Sequence, residues 1–160
     1  MSQVKLNAAA PNFRLKDFEG NEVSLSDFRG EKHVVLVFNR GFKWPYCRAH
    51  MAQLRRDYDR FVEKDTEVLV VGPEGVEAFQ QYWAEHNLPY PGLPDPKHTV
   101  LKKYGQEIKL FKFGRMPAQV IVDKEGTARF VHYGKDMQDI PENDEILGLL
   151  SEISGENAGD

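Results

Sequence analysis

Cysteine is nearly absent: Cys47 is the single one in 160 residues. That excludes an intrachain disulfide and any zinc site built on several thiolates. The five histidines, His33, His50, His86, His98 and His132, show neither H-x-x-x-H nor H-E-x-x-H spacing. No structural metal is therefore expected, and no cofactor is implied. An excess of one charge is missing as well. Twenty-one basic and 25 acidic residues give a net charge of −4 with the signs interspersed, which offers no track for a phosphate backbone and argues against nucleic acid as a partner. Long apolar runs are lacking near the start: Met1 to Pro11 contains no stretch suited to a signal peptide or an anchor. The expectation is no membrane partner and a cytoplasmic location. No repeat or low-complexity segment interrupts the chain, whose length suits one domain able to bury a core without staples.

What is present is an alternation of two periodicities. Val34-Val35-Leu36-Val37-Phe38 is β-branched and continuously apolar, as a strand covered on both faces would be. From about 46 to 63, apolar residues recur at Cys47, Met51, Leu54, Tyr58 and Phe61, spacings that fall on one helical face. Val68-Leu69-Val70-Val71 then closes a βαβ unit ending at Gly72-Pro73. A second helix is predicted from Val76 to His86, carrying Val76, Phe79, Tyr82 and Trp83 on one face. The proline-dense stretch 89–96 reads as an extended connection with room for one edge strand, and a helix is predicted to resume at about Lys97 to Tyr104.

Before this unit, Phe13-Arg14-Leu15 and Glu22-Val23-Ser24-Leu25 flank a Gly, Asp and Asn turn and predict a hairpin, after which Ser26 can cap a short turn over Phe28. After it, 118–123 and 127–133 predict an antiparallel hairpin with Gly126 at a left-handed turn position. A last helix is predicted over 143–153. The architecture is α/β, a central mixed sheet flanked by helices with an N-terminal β-hairpin extension. Residues 1–154 form the expected domain, and 155–160, lacking an apolar anchor, are expected to fray.

Cys47 falls in the first turn of the helix after the central strand. Unsatisfied N–H groups and the positive end of the helix dipole favour thiolate there, and Pro45 suits a helix start. Arg40, Lys43 and Arg48 crowd the same turn, so a depressed thiol pKa is expected. Cys47 also shares its stripe with core residues, so simple packing accounts for it equally on spacing alone. His50 lies one helical turn further on, close enough to be considered as a base, although a solvated helix face is the expected place for it.

Together, the βαβ unit, a thiol at its helix start and a later hairpin preceded by Met116-Pro117 resemble the thioredoxin fold. Ala10-Pro11-Asn12-Phe13-Arg14-Leu15 and Val23-Ser24-Leu25-Ser26-Asp27-Phe28-Arg29-Gly30 resemble the opening of peroxiredoxins and their alkyl hydroperoxide reductase (thiol-specific antioxidant) relatives. The nearest likeness is to peroxiredoxin-like proteins whose site reads Arg-Gly-x-Trp-Cys-Pro-Tyr-Cys-Arg. In that likeness Trp44 stands where the first cysteine would be, which closes a dithiol cycle. Against the peroxiredoxin motif Pro-x-x-x-Thr-x-x-Cys, Cys47 matches the peroxidatic cysteine, Arg40 replaces the proline and Trp44 the threonine.

The resemblance implies a one-cysteine peroxidase, with Cys47, Arg40 and Arg115 as catalytic candidates and Trp44, Pro45, Tyr46 and Pro117 lining the site. It also implies a cis bond before Pro117. The partners implied are a hydroperoxide and an external thiol reductant, either a thioredoxin-like protein or a small thiol. The resemblance also admits a homodimer. Two alternatives stand beside it: monothiol exchange with small thiols, and a redox-inactive scaffold or binding protein of the same fold.

Overall fold

The computed structural model describes residues 3–106, 108–109 and 114–158. Its centre is a five-stranded mixed sheet in the order β5 (Gly92–Pro94), β4 (Thr66–Gly72), β3 (His33–Phe38), β8 (Ala118–Val122) and β9 (Ala128–Tyr133). β3 is the middle strand, parallel to β4 and antiparallel to β8. β4 pairs in parallel with β5, and β8 in antiparallel with β9. This is the α/β architecture expected from the alternation, and the N-terminal hairpin is there too, as β1 (Arg14–Lys16) and β2 (Glu22–Ser24).

Alternate residues of β3 feed two cores, because successive side chains of a strand point to opposite faces. Val35 and Val37 pack beneath α1 (Pro45–Val62), α2 (Val76–His86) and α4 (Asn143–Ala158), with Met51, Leu54, Phe61 and Phe79 fully buried. Val34, Leu36 and Phe38 pack with Phe13, Leu25 and Tyr104, and with Val100 and Leu101 of the short α3 (Thr99–Lys103). Each such fully buried aliphatic or aromatic side chain contributes about 1.5–3 kcal/mol, so β3 is the best-anchored element and a firm base for the loop that follows it.

The proline-dense stretch supplies the expected edge strand, and two side chains fix it against the helices. Trp83 donates from Nε1 to the Tyr90 carbonyl at 2.7 Å, and the Tyr90 hydroxyl donates to the Met51 carbonyl at 2.6 Å. Gly92 is required where it stands, since a Cβ there would fall 2.6 Å from the Trp83 ring.

Some boundaries differ from expectation. The turn over Phe28 is a 3-10 helix, Leu25–Phe28, started by Ser24 rather than Ser26, with the Ser24 N–H donating to Asp27 Oδ2 at 3.0 Å. The tail expected to fray from 155 is helical through Ala158, and residues 159–160 lie outside the described residues. A small ribbon, β6 (Ile108–Lys109) with β7 (Gly114–Arg115), was not legible. No peptide bond among the described residues is cis, so the cis bond expected before Pro117 is absent. No helix among them is long and apolar enough to cross a membrane.

Candidate active site

The loop leaving β3 is folded back by its first residue. Asn39, 3% exposed, accepts the Gly41 N–H on Oδ1 at 2.6 Å and donates from Nδ2 to Met51 Sδ at 3.4 Å. Gly41 has φ +146°, a conformation that favours glycine, and a Cβ there would meet Glu74 Oε2 at 2.9 Å and Trp44 Cδ1 at 3.3 Å. Glu74 accepts the Phe42 N–H at 2.7 Å, while the Phe42 ring stacks on Tyr82 at 4.6 Å and meets Phe79 edge-on at 4.8 Å. The loop is thus held at Asn39, Glu74 and Phe42 before α1 begins.

Trp44 is the N-cap of α1 and makes no capping bond with its side chain, Pro45 occupies the first helical position, and Cys47 the third. The folded loop brings the Arg40 N–H to 3.4 Å from Cys47 Sγ. Cys47 itself is only 3% exposed. Burial pushes its thiol pKa up from the ordinary value, further than the backbone N–H groups of Arg40 and Gly41 and the charge of Arg40 pull it down; the Glu74 carboxylate adds to the rise. The depressed pKa expected from the flanking cations is therefore overturned. Lys43 points out over the Trp44 ring at 5.3 Å, and Arg48 lies over Tyr82 at 5.3 Å with Nη1 donating to the Phe42 carbonyl at 3.1 Å. Of the three, only Arg40 pulls on the thiol.

Arg40 is buried at 4% exposure. Its guanidinium sits 4.2 Å above the Trp44 ring, and Nε donates to the Arg115 carbonyl. The Arg115 side chain goes elsewhere, to Gln106 Oε1 and His98 Nδ1, both at 3.1 Å. The structure thus brings Cys47, Arg40, Trp44 and the Arg115 backbone together, and leaves the Arg115 guanidinium outside that group. Pro45 and Tyr46 lie exposed on the first turn.

Beside the thiol is a small cavity lined by Cys47, His50, Pro117, Gln119, His132 and Asp139, among others. His50, expected in solvent, is 7% exposed, and burial lowers its pKa to about 4, so it is neutral near pH 7. Asn39, Glu74 and Gln119 were missed by sequence reasoning. Gln119 alone carried a signal, a polar residue inside the apolar run Ala118–Val122. Among the described residues no group of three or more His, Cys, Asp or Glu side chains could hold a metal.

Residues 6–131 match the AhpC/TSA family. Chloroplastic peroxiredoxin Q of Sedum lineare is 31% identical over 154 residues, covering 95% of this chain and 81% of the relative. Peroxiredoxin Bcp of Bacillus subtilis (strain 168) is 29% identical over 132 residues, covering 77% and 81%. Among solved structures, peroxidoxin BcpB from Mycobacterium tuberculosis superposes with a TM-score of 0.82 at 21% identity, over 94% of this chain and 99% of that one.

Proposed function

The chain belongs to the AhpC/TSA family as a peroxiredoxin-like, thiol-dependent peroxidase, and we propose that it reduces hydroperoxides at Cys47, with an external thiol restoring the cysteine. The observation that carries this reading is the Arg40 N–H aimed at Cys47 Sγ at 3.4 Å, with the Arg40 guanidinium buried beside it. A donor and a cation meet where negative charge sits on the thiolate and then develops on the leaving oxygen.

In the first step the Cys47 thiolate attacks the nearer peroxide oxygen, so that an S–O bond forms and the O–O bond breaks. The alkoxide or hydroxide released takes a proton, leaving Cys47 as sulfenic acid. Arg40 steadies the departing charge; Pro45 supplies no N–H for this, and Trp44 brings no hydroxyl to the site. In the second step an external thiol attacks the Cys47 sulfur, water leaves, and a mixed disulfide forms. A second thiol then releases Cys47. The reductant is a thioredoxin-like protein or a small thiol, and a cytoplasmic pool of reduced thiols suits a lone cysteine.

Burial sets a condition on the second step, because a partner thiol must reach the Cys47 sulfur. The exposed first turn, Pro45 and Tyr46, is the segment whose opening would admit it. Hydroperoxide consumption with glutathione or thioredoxin as reductant, followed alongside mass spectrometry of Cys47, tests the reading. The expected result is turnover that Cys47→Ser abolishes, with a Cys47 mixed disulfide trapped at limiting thiol. Failure to find any Cys47 adduct, under conditions that oxidise an unhindered thiol, would leave a redox-inactive scaffold as the better reading.

A further inference from the structure

The cavity beside Cys47 contains unmet hydrogen-bonding capacity. Gln119 is 1% exposed, and neither its Nε2 nor its Oε1 has a hydrogen-bond partner among the described residues. His50 Nε2 is likewise buried without one. Both side chains line the same cavity as the thiol. Leaving a buried amide unpaired on both atoms is costly enough that such groups in folded proteins are normally satisfied by a protein group or a bound molecule. The centre of a water-sized sphere can move over about 10 Å³ inside this cavity, which is room for about one water or one hydroxyl group.

Gln119 is placed there by register. It pairs with Val37 of β3 and His132 of β9, so its side chain emerges on the α1 face of the sheet among Val35, Val37 and Ile121. The far wall of the cavity is the His132 and Asp139 pair, Nε2 to Oδ1 at 2.9 Å, whose polar atoms already serve each other. The unmet groups therefore share a cavity with Cys47, whose sulfur already takes the Arg40 N–H.

We propose that this cavity is the receiving site for the hydroxyl of Cys47 sulfenic acid. The inference rests on the peroxidase reading. A hydroperoxide oxidises the thiolate, the new S–OH rotates away from Arg40 into the cavity, and any water there is displaced. The hydroxyl accepts from Gln119 Nε2 and donates to Gln119 Oε1 or to the neutral imidazole of His50. A chain without a second cysteine has no internal thiol to consume its sulfenic acid, so the oxidised sulfur must survive until an external thiol arrives. A hydroxyl that donates its proton to Gln119 or His50 stays protonated, and sulfenic acid is a weaker nucleophile toward a second peroxide than the sulfenate that would go on to sulfinic acid.

Two measurements test the proposal. The first is a crystal structure of the protein oxidised with one equivalent of hydrogen peroxide. It should show the Cys47 hydroxyl within hydrogen-bond reach of Gln119 or His50; a hydroxyl pointing to the Arg40 N–H, with the cavity empty or holding water, overturns the inference. The second is the lifetime of the sulfenic acid, followed by dimedone trapping and mass spectrometry in wild type, Gln119→Met and His50→Leu. Gln119→Met removes both unmet atoms at nearly constant volume. It should shorten the lifetime about five-fold, the worth of one hydrogen bond, with a matching rise in sulfinic acid. His50→Leu should act in the same direction. If both variants form sulfenic acid with the wild-type lifetime, the receiving site is wrong while the peroxidase reading stands. If Cys47 is not oxidised even in wild type, the peroxidase reading falls and this inference falls with it.

Discussion

Arg40 donates from Nε to the backbone carbonyl of Arg115, while its own N–H points at Cys47 Sγ. One residue thereby ties the nucleophile's loop to the strand across from it. Arg115 takes part through its backbone, and its guanidinium is spent on Gln106 and His98. The two arginines, interchangeable in the sequence, are thus separated in role.

Arg40→Met should slow peroxide oxidation of Cys47 by roughly ten- to a hundred-fold, since a charged donor at a developing anion is worth about 1.5–3 kcal/mol. Arg115→Met should change that rate by no more than about two-fold and cost about 1 kcal/mol of stability through the lost bond to Gln106. Stopped-flow oxidation rates of the two variants, read beside their urea midpoints, check the pair. Equal slowing by both would place the Arg115 guanidinium at the reacting atoms.

The Cys47 thiol has its pKa raised by burial, so its thiolate should be a minority form near pH 7. Alkylation and peroxide oxidation should both accelerate about ten-fold per pH unit through neutrality, with a midpoint above the ordinary thiol value of about 8.5. The stability consequence has a definite sign. A raised folded pKa favours the protonated thiol, so its contribution is complete below the unfolded pKa and is lost as pH rises through the folded value. Absorbance of the thiolate against pH reads the midpoint, and urea unfolding of wild type and Cys47→Ser across the same pH range reads the stability effect.

His50 behaves in the opposite sense. Its folded pKa of about 4 lies below the unfolded value of 6.5, so the neutral ring's contribution is present above pH 6.5 and is lost as pH falls toward 4. The full loss approaches about 3 kcal/mol for a shift of this size. Of the titratable groups facing it across the cavity, His132 is already paired with Asp139 and Cys47 is protonated at these pH values. Urea unfolding between pH 7 and pH 4 should show this slope in wild type and a flatter one in His50→Leu.

The elements were legible because their signals were redundant. β3 and α1 each announce themselves by unbroken apolar character or by a stripe, and both cores follow from that pattern. The ribbon at Ile108–Lys109 and Gly114–Arg115 was not, since two-residue strands carry no period. The position of Cys47 in the first turn was legible from Pro45 and the stripe, but its ionisation was not. Lys43 and Arg48 are neighbours of the thiol only along the chain, and desolvation, the dominant influence, has no local signature in sequence. Glu74 reaches the site from the loop between β4 and α2, through the Phe42 N–H, a relationship that only the fold creates.

The sharpest test of the site's local geometry is Trp44→Cys. Trp44 is the N-cap and Cys47 the third residue of α1, the two positions whose side chains and backbones reach toward each other in a capping box. Thiols at an N-cap and the third helical position should fall within the Cα span a disulfide tolerates, about 4.4–6.8 Å. The indole's contact with the Arg40 guanidinium at 4.2 Å would be lost, costing about 0.5–1 kcal/mol. The new thiol, on a half-buried N-cap, should be the more accessible of the two. Mild oxidation should therefore close an intrachain Cys-Pro-Tyr-Cys bridge, and the variant should gain an insulin-reducing activity that the parent lacks. Free-thiol counts before and after oxidation, read beside the insulin assay, decide the outcome. Two thiols that stay unpaired would mean that the start of α1 does not hold residues 44 and 47 in dithiol geometry, and that the match of Trp44 to a missing first cysteine is wrong.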